Sequence, residues 1–573
     1  MSAGKTVSKT LGALAALSIV ATTALVIWIR WEAARTWEPD HRAEFFEPVA
    51  VPVSPVDRTA AFSVARVGER FEIVDHEGRV VLFRGVNMGS GSRVPPFRPI
   101  ALEDEEAFEQ LRSWGVNAVR LQVPWEALET GPRQFNLDHL EYIRWFLDAA
   151  HLHGMAVIVD HHQEYVSRCL GGTGAPRWAH RKGVIDPEAL ERDCTYVNAP
   201  GLTDLPRHLR WWADFWDGTW TPDDLSLQDH VIWAFHKLAE VLQSHEAVVG
   251  YGLFNEPQCF DDAPGSLVYA GAKGCEDTLR EFYRRFATTV RNVDRDALFF
   301  FDPAVRPLSG DWDGRETGLS APPLGGSVFS VHPPQGDESD VDGDHLSCFL
   351  QNALTLAGHG LRVPLLLAEF GVRGDADGAP EELMHQMVAI EDAGVSAFYR
   401  DYSRTGRNWA MARDNEGSRS LVVPHLFAEN PEQVGMPRCF AAAFVRPYPQ
   451  RIAGIPVSHD FDRSFTYYRG RDRDVRRDGA PVTNTDVFTL VFRQSDVEAD
   501  TLVYVPRKPV YGEDPATEAP EFIVTVSDGT WRWSRLDPNV LAWTTDPGVA
   551  EHTITIKPWG GQPATGAGVG ECL

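Results

Sequence analysis

The sequence predicts an α/β chain: a (β/α)₈ TIM barrel followed by a C-terminal antiparallel β-sandwich. Three observations carry that expectation. From about residue 80 to 405, short β-rich apolar runs alternate with helix-patterned segments. No glycine-rich nucleotide loop of the kind a doubly wound sheet uses is present. After about Pro447 the chain changes to short alternating segments without helical periodicity, as in a sandwich.

The barrel runs, in order, are Leu82–Met88, Ala118–Trp125, Ala156–His162, Val248–Phe254, Ala297–Phe301, Ser327–Val331, Pro364–Phe370 and Val395–Tyr399. Between the second and third, Leu140, Ile143, Leu147 and Ala150 recur at helical spacing, as do Leu383, Met387 and Ile390 before the eighth. These stripes should bury against the sheet. An insertion at about 171–240, with Trp211, Trp212, Trp216 and Trp220, follows the third run and is expected to help wall a substrate cleft. The sandwich segments are Ser464–Arg469, Val487–Phe492, Thr501–Val505, Phe522–Val526 and Thr553–Ile556.

The expected organisation is residues 1–35 as a signal anchor or signal peptide, 36–440 as barrel, 441–560 as sandwich and 561–573 as a flexible tail. Lys5 and Lys9 precede the uncharged stretch Leu11–Ile29, which is followed by Arg30 and Arg35. At helical rise such a stretch spans roughly 30 Å of hydrocarbon. The absence of a small-x-small site beyond it favours an uncleaved anchor, and either alternative places the remainder outside the cytoplasm, membrane-anchored or secreted. The net charge of −27 repels phosphate backbones, so no nucleic-acid partner is expected. Eighteen Trp suit a surface on which sugar C–H faces pack, and suit an ordinary aromatic core equally. Among the seven cysteines, Cys169 with Cys194 and Cys259 with Cys275 are candidate disulfides, with free thiols the alternative; the spacings fit no zinc site, and neither metal nor cofactor is expected.

Two runs end in carboxylates. Tyr251-Gly-Leu-Phe-Asn255-Glu256-Pro257 puts Glu256 at the C-terminal end of the fourth strand, where a barrel keeps its chemistry. Pro364-Leu-Leu-Leu-Ala-Glu369-Phe-Gly371 does the same for Glu369 on the seventh. Two carboxyls facing each other across one mouth suit glycosidic bond cleavage, with Glu256 as acid/base and Glu369 as nucleophile; a separation of roughly 5–5.5 Å would make the reaction retaining. Asn255 is expected to bond the sugar 2-hydroxyl.

Further motifs resemble glycoside hydrolase family 5, and within it the endoglycoceramidases and their relatives acting on glucosylceramide or steryl glucosides. They are Arg84-Gly-Val-Asn87, Gly115-Val-Asn-Ala-Val-Arg120-Leu-Gln-Val-Pro-Trp125, the stretch Asp160-His-His162-Gln163-Glu164 with its following Gly-Gly-Thr-Gly174, and Arg446-Pro-Tyr-Pro449. The resemblance implies that Arg120 holds the nucleophile ionised, that His162 lines the glycone pocket, that Gln163 and Glu164 bind sugar hydroxyls, and that His332 stands near the nucleophile. It implies a glycolipid or oligosaccharide substrate, with a membrane contact through the N-terminal segment. The alternatives are a β-glucosidase on glucosylceramide or steryl glucoside, an endo-β-glucanase or mannanase, and a catalytically weak glycan- or lipid-binding barrel. Three departures bear on this. The family's strand-six His-x-Tyr reads His332-Pro333-Pro334, the Asp after His-Gln is Glu164, and no Trp ends strand eight, where Trp409 substitutes only if its loop folds back.

Overall fold

The structure is a computed structural model. It describes residues 62–102, 104–181, 185, 194, 205–218, 220–243, 245–258, 276–305, 319–333, 343–372, 378–402, 436, 438–462, 486–507, 510 and 522–558. The N-terminal stretch Leu11–Ile29, Cys259, Cys275, Trp409, Ser464–Arg469 and the 561–573 tail lie outside the described residues. No helix among the described residues is long and apolar enough to cross a membrane.

Strands β1 (Phe62–Val67), β2 (Arg70–Asp75) and β3 (Val80–Val81) open the described chain. Then come β4 (Arg84–Met88), β5 (Ala118–Val123), a small hairpin of β6 (Glu129–Gly131) and β7 (Gln134–Phe135), β8 (Ala156–His161) and β9 (Val248–Gly252). Next are β10 (Leu298–Phe301), β11 (Ser327–Val331), β12 (Leu365–Phe370) and β13 (Ser396–Tyr399). Excluding the hairpin, β4 to β13 are parallel and close into an eight-stranded barrel, with β13 pairing back onto β4. Each lies within one of the eight expected apolar runs.

The helical stripes bury as their spacing requires. Leu140, Ile143, Leu147 and Ala150 lie on the inner face of Leu137–Leu152, which Asn136 caps by accepting from the His139 amide. Leu383, Met387 and Ile390 do the same on Ala379–Ala393. The expected insertion is shorter than its 171–240 bounds: Leu227–Leu242 is the helix that leads into β9, and its Val231, Phe235 and Leu238 join the core around the barrel.

Beyond the barrel lie β14 (Tyr448–Ile452), β15 (Ile455–Asp462), β16 (Val487–Arg493), β17 (Thr501–Tyr504), β18 (Phe522–Val526), β19 (Thr530–Trp533), β20 (Val540–Thr544) and β21 (Glu551–Pro558). They form two antiparallel sheets, one of four strands in the order β15-β16-β21-β18 and one of seven, β1-β2-β3-β14-β17-β20-β19. The larger sheet therefore recruits three strands from before the barrel. Alternation explains how one ribbon serves two cores: Val74 and Val80 face the sandwich interior, while Ile73 and Val81 join Phe83, Leu298, Phe300, Leu366 and Phe398 in the barrel interior. Phe62 and Val64 of β1 also pack against that interior cluster, with the Phe62 and Phe83 rings 5.5 Å apart.

A buried ion cluster joins the two units. Arg446 holds Glu391 through two bonds of 2.7 Å, and Arg84 reaches the same carboxylate at 3.3 Å while donating to the Arg446 carbonyl. Tyr448 and Tyr504 donate to the Gly115 and Ser113 carbonyls at 2.6 and 2.7 Å. The Arg446-Pro-Tyr-Pro449 motif is thus the junction.

Candidate active site

The C-terminal ends of the barrel strands gather a dense set of polar side chains. Apolar strands with a polar residue at or just after their last position put that residue beyond the packed barrel core, in the mouth. Arg120, on β5, is buried and central. Its Nη1 donates at 3.1 Å to both Glu369 Oε1 and Asn87 Oδ1, and its Nη2 lies 2.8 Å from Asn255 Oδ1 and from Asp160 Oδ1. Gln122 Nε2, on the same strand, is 3.5 Å from the same Glu369 oxygen.

Glu369 sits near the end of β12, 3% exposed. Burial by itself would raise its carboxyl, but the charges of His332, Arg400 and Arg120 outweigh it and hold Glu369 well below the usual carboxylate range. The reverse holds for Asp160, Glu164 and Asp302, which burial pushes up. Glu369 is therefore the carboxylate whose ionised form this pocket favours most, as a nucleophile requires.

Glu256 is set differently. It lies four residues past the β9 ladder with φ +47, a left-handed conformation costing an L-residue about 1–2 kcal/mol. Its amide donates to Asp302 Oδ2 at 3.2 Å, and the amide of Asn255 before it donates to the His161 carbonyl at 3.0 Å, so the bend is held from both neighbouring strands. Its Oε1 accepts from His332 Nδ1 at 2.9 Å. The other ring nitrogen of His332 is 3.4 Å from Asp302, an ion-pair distance without hydrogen-bond alignment. Burial lowers the His332 pKa, yet Asp302, Glu369 and Glu256 together bring it up to about 9. His332 thus bonds Glu256, while its charge also acts on Glu369 on the adjacent strand β12. His162 is the opposite case, held neutral by burial and by Arg93 and Arg120, with Nδ1 3.1 Å from Asp160 Oδ2.

The other expected residues divide. Asn255 belongs to the cluster, but Oδ1 accepts from Arg120 and Nδ2 donates to the Gln163 carbonyl at 3.0 Å, so its amide is engaged inside the protein. Glu164 pairs with Arg93 at 2.6 Å. Gln163 is 1% exposed, and neither its amide nitrogen nor its oxygen has a partner. Three of the four tryptophans of the insertion go into the core instead of walling a cleft. Trp211, Trp212 and Trp220 are buried in the outer core, and half-buried Trp216 stacks on Trp212 and gives its Nε1 to the Gln258 carbonyl at 2.8 Å. A helix whose aromatic residues follow its buried face packs them against its own neighbours first. Cys169 and Cys194 form a disulfide.

Four participants escaped the sequence reading. Asp302 follows Leu298–Phe301, the same apolar-run-then-carboxylate signal that marks Glu256 and Glu369. Gln122 lies two residues beyond Arg120 on the same strand face. Arg93, from the loop after β4, and Arg400, just past β13, come from far along the chain and carry no local signal. Among the described residues no group of three or more His, Cys, Asp or Glu is arranged to hold a metal ion.

The family model described as Cellulase (glycosyl hydrolase family 5) matches residues 74–406. A glucosylceramidase of Rhizopus delemar is 30% identical over 339 residues, 46% of this chain and 49% of that protein. Endoglycoceramidase I of Rhodococcus hoagii is 28% identical over 416 residues, 68% of this chain and 73% of that protein. The chain thus spans about half the length or less of the two curated glucosylceramidases it matches first. Among solved structures, sterylglucosidase 1 of Cryptococcus neoformans aligns with a TM-score of 0.65 at 18% identity, covering 90% of this chain and 99% of that one, which is a likeness of fold.

Proposed function

The chain belongs to glycosyl hydrolase family 5, and from that membership and the mouth of its barrel we infer that it is a retaining β-glycosidase acting between a glycan or glucose and a lipid alcohol. The observation that supports this reading most is the unequal treatment of two strand-end glutamates. Glu369 sits among cations that keep it ionised, whereas Glu256 bonds a single histidine on a strained bend. Glu369 attacks the anomeric carbon, and the lipid oxygen leaves with the proton of Glu256. Water, deprotonated by Glu256, then attacks the same carbon, and the electron pair of the ester bond returns to Glu369. Arg120 acts through Glu369, and Gln163, with an unpartnered buried amide, is the group best placed to take a sugar hydroxyl.

The glycolipid assignment is supported by the names of the relatives, a glucosylceramidase, an endoglycoceramidase and a sterylglucosidase. The apolar stretch Leu11–Ile29 supports an exported or anchored chain whose site works near lipid. The test is product analysis after incubation with glucosylceramide, a ganglioside, a steryl glucoside and a β-glucan. Release of glucose or of intact oligosaccharide from lipid, lost in Glu256→Gln and Glu369→Gln, is expected. Shortening of the β-glucan alone would contradict the lipid aglycone, and unchanged cleavage in either variant would contradict the mechanism.

A further inference from the structure

Around Glu369 the family resemblance expects aromatic side chains at two places this chain fills differently. The residue two after the sixth-strand histidine is Pro334, which has no hydroxyl to offer. Strand eight ends Ala397-Phe398-Tyr399 and is followed by Arg400. Tyr399 does not take over, because it is fully buried and its hydroxyl donates to the Val372 carbonyl at 3.3 Å.

Arg400 stands at that point. Its amide donates to the Phe370 carbonyl at 2.6 Å, which ties the first residue past β13 to the residue after Glu369. Its Nε lies 3.8 Å from Glu369 Oε2 and its Nη2 4.0 Å from Glu164 Oε1. Its Nη1 is buried with no hydrogen-bond partner. Arg120 and Gln122 both approach Glu369 through Oε1, so the two oxygens of this carboxylate are served from different strands.

We propose that Arg400 is the positioning residue for the nucleophile, its guanidinium bridging Glu369 Oε2 and Glu164 Oε1. The proposal rests on the hydrolase reading above and goes further in assigning a residue that departs from the family pattern. A phenol would offer one neutral donor, whereas a guanidinium offers a rigid fork and a permanent charge. When Glu369 bonds to the anomeric carbon its negative charge is lost and Arg400 keeps Glu164 as its anion. When that bond breaks and the electron pair returns, the ion pair with Glu369 re-forms, so the cation favours release of the sugar and keeps the carboxylate aimed between cycles. The charged and titratable groups around Glu369 and Arg400 are Arg120 from β5, Asp160 from β8, Glu164 and the neutral His162 just beyond it, Glu256 beyond β9, His332 beyond β11, and Asp401 beside Arg400. Losing one cation among them changes where Glu369 protonates.

The test compares the full chain with Arg400→Gln and Arg400→Lys on 4-nitrophenyl β-glucoside across pH. Arg400→Gln should lose about tenfold or more in kcat with a smaller change in KM. Its acid limb should move up by about one pH unit, because the cation that holds Glu369 ionised is gone. Arg400→Lys should keep the acid limb while recovering part of kcat, and added guanidinium chloride should raise the rate of Arg400→Gln. An Arg400→Gln enzyme with the parent's acid limb and kcat within twofold overturns the proposal. Parent enzyme inactive on every glycoside overturns the hydrolase reading instead, and the clamp is then decided by melting temperature. A larger loss for Arg400→Gln at pH 8 than at pH 4 supports it, and an equal loss at both contradicts it.

Discussion

Two clusters of buried charge lie at opposite ends of this barrel, and they are finished differently. At the N-terminal end, Arg446 and Arg84 share Glu391, and Arg446 spends its remaining donors on the Phe461 carbonyl and the Met384 sulfur. At the mouth, Arg120 is as fully engaged, yet around it the Gln163 amide, Arg400 Nη1 and His332 Nε2 are buried without hydrogen-bond partners. An unsatisfied buried polar group costs about 1–3 kcal/mol, and evolution tolerates it where something else satisfies it. The junction is built to be complete in the protein alone, whereas the mouth is complete only with a substrate present. The same chemical types, arginine and glutamate, therefore serve cohesion in one place and reaction in the other.

The comparison is broken most severely at the mouth. Glu369→Gln removes the carboxylate that attacks, and kcat should fall on the order of 10⁴-fold or more with the melting temperature nearly unchanged. Glu256→Gln should cost on the order of 10²–10⁴ on a lipid glycoside, and less on a nitrophenyl glycoside whose leaving group needs no proton, read from the ratio of the two rates. At the other end, Arg446→Met leaves Glu391 buried with only Arg84, and unfolding in denaturant should show a loss of about 3–5 kcal/mol with kcat per folded molecule unchanged. Gln163→Leu sharpens the contrast: it removes unpartnered polar atoms, so stability should hold or rise, while kcat/KM falls by about tenfold.

The smallest effect is a pH dependence. His332 has a folded-state pKa of about 9 against an ordinary 6.5. Its charged form is favoured by folding, so its contribution to stability is full below about 6.5 and is lost as pH rises through about 9. Melting temperatures of the parent and His332→Gln should differ most at pH 6 and converge by pH 10, and a constant difference would contradict the assignment.

Much of this was legible in the sequence, for reasons that particular residues make plain. An apolar run that stops at a carboxylate marks a barrel strand and its mouth in one signal, so β9 with Glu256 and β12 with Glu369 could be read together. Asp302, before Pro303, carries the same signal as Glu256 before Pro257 and was legible in the same way. What convergence alone creates was not legible: Arg93 and Arg400 are far apart along the chain, and they meet at Glu164 only because the barrel closes. The pairing of β3 with β14 joins Val80 to Ile452 across the whole barrel, and no local pattern encodes a partner that distant. Trp211 and Trp212 failed as cleft markers because a flat apolar ring looks the same in a sequence whether it meets a sugar or, as Trp212 does, Phe254.

The central claim is that Glu369 forms a covalent bond to the sugar. Incubation with a 2-deoxy-2-fluoro-β-glucosyl fluoride, followed by proteolysis and mass spectrometry, tests it directly. One sugar per chain on the peptide carrying Glu369, absent in Glu369→Gln, is predicted; stoichiometric labelling of another residue, or turnover of glycosides by the Glu369→Gln chain at the parent's rate, would contradict the account.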